Sequence, residues 1–185
     1  MIDRLIESLQ GQSIIINASD PEVVSKARDT YKTVTNHGYI QGKRTPDQVL
    51  RDAFHGTIRE VGIAKLTDGI INQQEPDFSD RATYGWDLSA YDLKLEIKPQ
   101  YAGSKYFTIE KKVAKRLFNN REYFDYLLSV VLERISKDEW KVIPSILIQS
   151  KHFAKYYENS MYKDWQVIYN VHSYPCIILN EWSKR

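Results

Sequence analysis

The segment Leu93-Lys94-Leu95-Glu96-Ile97-Lys98 alternates apolar and charged residues. Strand side chains point alternately to opposite faces. Leu93, Leu95 and Ile97 then face a core, and Lys94, Glu96 and Lys98 share the other, wet side. The preceding segment, Thr83 to Leu88, reads as a partner strand. It puts Tyr84, Trp86 and Leu88 on one face and Asp87 on the other. A hairpin loop at residues 90–93 pairs Ser89 with Lys94, and the same register sets Asp87 opposite Glu96.

Two carboxylates facing each other across a sheet repel. A divalent cation removes the conflict, and Mg²⁺ is commonly held by one or two carboxylates together with water and phosphate oxygens. Such an ion lowers the pKa of a water and stabilises charge on a phosphate. Lys98, two residues beyond Glu96, reaches the same face and adds a cation for the charge that develops there. The chemistry predicted is hydrolysis of a phosphodiester.

These residues resemble the PD-(D/E)XK nuclease superfamily, the fold of many restriction endonucleases. The matching residues are Gly85-Trp86-Asp87-Leu88 followed by Glu96-Ile97-Lys98, and the similarity covers about residues 46–100. The resemblance implies a restriction-endonuclease-like α/β (α+β) domain, a central mixed β-sheet flanked by helices. It implies Asp87 and Glu96 as metal ligands, Lys98 as the catalytic lysine, and Mg²⁺ as cofactor with Mn²⁺ as a substitute. Many members add a glutamate from a helix before the hairpin, and Glu60 occupies that place. Trp86-Asp87 stands where the family has proline-aspartate. Pro76-Asp77 supplies the dipeptide itself, so Asp77 and Asp87 both stand as candidates for the first acidic ligand.

Residues 94–121 hold eight basic and two acidic residues, against a whole-chain net charge of +2. A helix over about 109–119 with Ile109, Val113 and Leu117 as its apolar stripe turns Lys111, Lys112, Lys115 and Arg116 to solvent. With Lys105 these form a predicted grip on a phosphate backbone. The expected partner is nucleic acid, DNA ahead of RNA. A homodimer is expected by analogy with enzymes that cut both strands of two-fold DNA.

The elements that must position these residues follow from spacing and caps. Ile2, Leu5, Ile6 and Leu9 lie on one face of a first helix. Asp20-Pro21 opens a helix to about Tyr31, and Thr45-Pro46-Asp47 opens one from about 46 to 66, ended by Asp68-Gly69. Gly56 and Gly62 weaken that helix or mark close packing. Strands are predicted at 70–71, 126–135, 140–149, 165–171 and 175–179, with a short helix near 151–158. The chain reads as a single nuclease domain: a helical segment over 1–45, a catalytic core over 46–121, and strands over 122–185 that complete the sheet or serve specificity and dimerisation.

Composition excludes several classes. Apolar residues make up 42% and charged residues 27%, as in ordinary globular proteins. Cys176 is the only cysteine, so no intrachain disulfide forms, and it sits in an apolar run. No apolar segment suits a signal peptide or a membrane span, so a cytoplasmic protein without a membrane partner is expected. The histidines, His37, His55, His152 and His172, are scattered, which argues against structural zinc. Alternatives to the DNA endonuclease are an RNA endonuclease of the cap-snatching type in which His55 joins the acids, a junction resolvase, and a non-catalytic nucleic-acid-binding module on the same fold.

Overall fold

The computed structural model describes residues 1–36, 44–73, 85–101, 104, 106–110, 124–152, 161–162, 166–170 and 175–180. The chain begins with α1 (Ile2–Leu9), β1 (Ile14–Asn17), α2 (Pro21–Asn36) and α3 (Pro46–Thr67). A short β2 (Ile70–Ile71) leads to the hairpin β3 (Leu88–Ala90) and β4 (Leu93–Gln100). Then come β5 (Tyr106–Glu110), β6 (Tyr126–Arg134), β7 (Glu139–Gln149), β8 (Met161–Tyr162), β9 (Gln166–Asn170) and β10 (Ile177–Ile178).

The main sheet has seven strands, in the order β1-β7-β6-β4-β3-β2 with β10 also on β7. It is mixed: β4 and β6 run parallel, and the other pairs are antiparallel. The parallel pair explains the two-sided burial of β4, since parallel strands occur where both faces are covered. β5, β9 and β8 form a separate antiparallel sheet. The mixed sheet flanked by helices bears out the α+β expectation. Among the described residues no helix is long and apolar enough to cross a membrane.

α3 is the organising helix. Thr45 caps it: its hydroxyl accepts from the Gln48 amide, the Gln48 side chain accepts from the Thr45 amide, and Pro46 occupies the first turn. It ends at Asp68 in the left-handed region (φ 50°). Its face of Val49, Ala53, Ile58, Val61 and Ile63 is buried. Ile58, Val61 and Ile63 join Leu5, Leu9, Leu88, Leu95, Ile97, Leu128, Val130 and Val142 in one core. Gly62 resolves the question its sequence position raised: a Cβ there would stand 2.7 Å from the buried Val142 side chain. Gly56 meets nothing within 4 Å.

Several boundaries differ from the sequence reading. Ile14–Asn17 is a strand, paired with β7, in a stretch for which spacing and caps predict no element. α2 continues past Tyr31 to Asn36. Ile109 and Glu110 belong to strand β5, so the predicted basic helix cannot begin at 109; residues 111–119 lie outside the described set. Ile109 and its neighbours pair with β9, and cross-strand partners override helical spacing here. The helix predicted near 151–158 is described only over 150–152.

Candidate active site

The hairpin register is the one assumed from a loop centred between residues 91 and 92. Leu88 pairs with Leu95, Ser89 with Lys94, and Ala90 with Leu93. The loop is therefore just Tyr91-Asp92, both with positive φ (52° and 63°), the geometry of a two-residue type I′ turn. Arg4 covers the Tyr91 ring, 5.0 Å from its centroid.

Asp87 lies one residue before β3. Its amide donates to Leu95 O (2.8 Å), and its carbonyl accepts from the Asn72 amide (2.9 Å). Its Oδ2 accepts from the Ile97 amide at 2.6 Å. The carboxylate is thus fixed to the peptide between Glu96 and Lys98. Lys98 Nζ donates to Glu96 Oε1 and forms an ion pair with it. The structure therefore brings Asp87, Glu96 and Lys98 together.

Two features of the face depart from the sequence reading. It is not wet at its centre: Glu96 is 4% exposed and Gln100 is 3% exposed, because β4 lies inside the sheet between β3 and β6. Trp86 does not stay on the apolar side. Lys94 Nζ sits 4.1 Å from its ring centroid, a cation–π contact made possible because residue 86 precedes the regular strand. β4 continues through Pro99 to Gln100, whose Nε2 donates to Ser104 O at 2.7 Å.

Glu60 reaches the same locus from α3. It pairs with Lys26 of α2 at 3.2 Å and is one-fifth exposed. Burial, then the charge of Asp87, raises its pKa to about 7, Lys26 opposes the rise, and Glu96 adds to it. Those causes put three carboxylates within electrostatic reach of each other. Lys26 was not visible as part of this group, since its partner lies on another helix. Arg59, also missed, is half-buried beside Glu60. It donates to His55 O (3.0 Å) and Val130 O (3.3 Å), and burial lowers its pKa to about 10, still a cation at neutral pH.

Asp125 is a further residue the sequence did not single out. Its Oδ2 accepts from the Lys94 amide (2.7 Å), its amide donates to Lys94 O, and its carbonyl accepts from Ser150. It ties the start of β6 to β4 and so helps set the parallel register that aligns Glu96 with Leu127 and Lys98 with Ser129.

The donor set suits a hard cation. All three acids offer oxygen, and three carboxylates stand against the ammoniums of Lys26 and Lys98. Among the described residues no group of three or more His, Cys, Asp or Glu side chains is gathered closely enough to enclose a metal by itself. Mg²⁺ does not need such a cage, because it retains waters and takes substrate phosphate oxygens. His55 stands apart from the acids: its ring meets Trp140 at 4.8 Å, and burial, Arg59 and Arg51 lower its pKa. Burial pushes the half-buried Cys176 thiol up, away from reactivity. Asp77 and the expected phosphate-gripping residues Lys105, Lys111, Lys112, Lys115 and Arg116 lie outside the described residues.

No curated protein and no solved structure matches this chain. The profile of the bacteriophage T4 endonuclease IV family matches residues 4–164, which include every described element from α1 through β8 apart from the first two residues of α1. The matched span contains Glu60, Asp87, Glu96 and Lys98, and the chain belongs to the bacteriophage T4 endonuclease IV family, a nuclease family.

Proposed function

We propose that the protein is a Mg²⁺-dependent phage-type endodeoxyribonuclease of the PD-(D/E)XK kind, hydrolysing DNA phosphodiesters at the hairpin. The family supports a nuclease acting on DNA. The single observation that carries the finer reading is the contact of Asp87 Oδ2 with the Ile97 amide, which locks one acid beside the Glu96-x-Lys98 pair.

Asp87 and Glu96 would hold the metal, with Mn²⁺ able to substitute. When bound, the ion would supply Lewis-acid polarisation of the phosphate and a more acidic water. The remaining work falls to the chain. The backbone contact of Asp87 and the burial of Glu96 hold both carboxylates still, so little reorganisation accompanies the reaction. Lys98, braced by Glu96, offers its ammonium to the charge that grows on the phosphate oxygens. Glu60, poised near neutral pH, is suited to accept a proton, since a general base works best with a pKa near the working pH.

The test is direct. Purified protein is incubated with plasmid, linear duplex and single-stranded DNA, with Mg²⁺ and with a chelator. Cutting is expected only with the metal, and Glu96→Ala is expected to abolish it. Undiminished cutting by Glu96→Ala, or by wild type in chelator, would overturn the assignment.

A further inference from the structure

The first half of α3 and the start of β7 form a recess that the hairpin chemistry leaves unused. Its volume is about 310 Å³, and its walls include Leu50, Arg51, Phe54, His55 and Trp140, with Asp47. That size falls at the lower end of ligand pockets, roughly 300–1,000 Å³. The His55 and Trp140 rings stand 4.8 Å apart at 61°, giving two aromatic surfaces set at an angle. The Arg134 guanidinium lies 5.8 Å from the Trp140 centroid. Leu50 and Phe54 add apolar wall, and Asp47 offers an acceptor.

This mixture suits a flat heteroaromatic ring attached to an anion. Aromatic rings stack on it, arginine takes the anion, and a carboxylate accepts from a ring amine. The recess also lies on the helix that carries Glu60. His55 precedes Glu60 by five residues on α3, about 7.5 Å along its axis and about 140° around it, so one meets Trp140 of β7 while the other meets Lys26 of α2. Arg59 stands on the helix between them, bonded to His55 O. In the sheet, Trp140 lies eight residues along β7 from Ile148, which is in line with Glu96 through Leu127, roughly 26 Å at 3.3 Å per residue, so a nucleic-acid strand joins the two places over several nucleotides.

We propose that this recess receives an unstacked nucleobase of the substrate strand, several nucleotides from the phosphate at the hairpin, with Arg51 gripping the backbone beside it. The inference rests on the nuclease reading for its choice of ligand. It makes α3 a double-purpose element, which supplies a carboxylate to the chemistry at Glu60 and a base-holding surface from Arg51 to His55.

The test uses the full chain in metal-free buffer and a single-stranded DNA oligonucleotide carrying a fluorescent purine analogue at successive positions. Stacking quenches the analogue. Quenching on saturation with protein is expected at one position, and Arg51→Ala and His55→Ala are each expected to weaken binding about tenfold and remove that quenching. Arg51 is exposed, so its variant keeps the fold and decides the matter if His55→Ala does not fold. Equal emission at every position, or quenching that survives Arg51→Ala, would overturn the recess. Cutting with Mg²⁺ is scored separately. Position-specific quenching without any cutting would sink the nuclease reading and leave the recess standing, and cutting without such quenching would do the reverse.

Discussion

Asp87 Oδ2 accepts a hydrogen bond from the amide of Ile97 at 2.6 Å, so its carboxylate is anchored to the backbone of the strand that carries Glu96 and Lys98. Position and charge can therefore be separated by substitution. Asp87→Asn keeps an oxygen for the Ile97 amide and removes only the charge. It is expected to fold as wild type and to cut DNA at least about 100-fold more slowly, as loss of a transition-state or metal contact does. Asp87→Ala removes both and should also lower Tm. Plasmid nicking rates and thermal melts measured side by side would contradict this if Asp87→Asn cut at the wild-type rate.

Glu60 predicts a pH-dependent stability. Its folded pKa of about 7 lies above its ordinary 4.5, chiefly from burial and then from Asp87. Between those values the folded chain holds a proton that the unfolded chain has released. Stability is then fully present below about pH 4.5 and declines as pH rises through about 7, by roughly 3 kcal/mol. In metal-free buffer Glu60→Gln should flatten that decline and melt higher than wild type at pH 8. A steeper decline in the variant would show that the Lys26 pair outweighs burial.

The two glycines of α3 should respond oppositely. Gly62→Ala pushes a methyl into Val142, which is fully buried and β-branched, so it should cost about 1–3 kcal/mol. Gly56→Ala meets open space and should gain about 0.5–1 kcal/mol from helix propensity. Urea denaturation of both variants measures the contrast, and equal effects would contradict the close approach of α3 to β7.

The turn joining β3 and β4 carries strain that can be relieved. Tyr91 and Asp92 both adopt positive φ, which non-glycine residues resist. Replacing the pair with Asn-Gly should stabilise the protein by about 1 kcal/mol without shifting the register. Loss of the Arg4 contact with Tyr91 sets a small opposing effect. A drop in cutting with unchanged Tm would mean that the turn also positions Asp87.

Much of the hairpin was legible because its pattern is local. Alternation over Leu93 to Lys98 fixed which residues share a face, and a hairpin loop placed at residues 90–93 supplied the pairing of Ser89 with Lys94 that the structure has. Strong caps made α3 legible at both ends. What stayed hidden depends on contacts distant in sequence. β1 is four residues long and is held by β7, more than a hundred residues away. Glu60 could be placed on a helix but not oriented, because Lys26 and Asp87 come from different elements. Trp86 was put on the wrong face because strand alternation was extended beyond the point where β3 begins.

The outer edge of β7 is shared: β1 covers Glu139 to Val142, and β10 covers Ile146 and Leu147. Asn180 reinforces the meeting point, donating to Leu9 O, Gln12 O and Pro144 O, and the Gly11 amide donates to Leu179 O. A nascent chain cannot finish this sheet until residues 177–180 have left the ribosome, however early α1 and β1 were made. Until then Ile146 and Leu147 present unpaired backbone, a template for stray strands. Such late, long-range closure slows folding, so ribosome stalling upstream of Ile177 should yield an aggregation-prone intermediate rather than a smaller working enzyme.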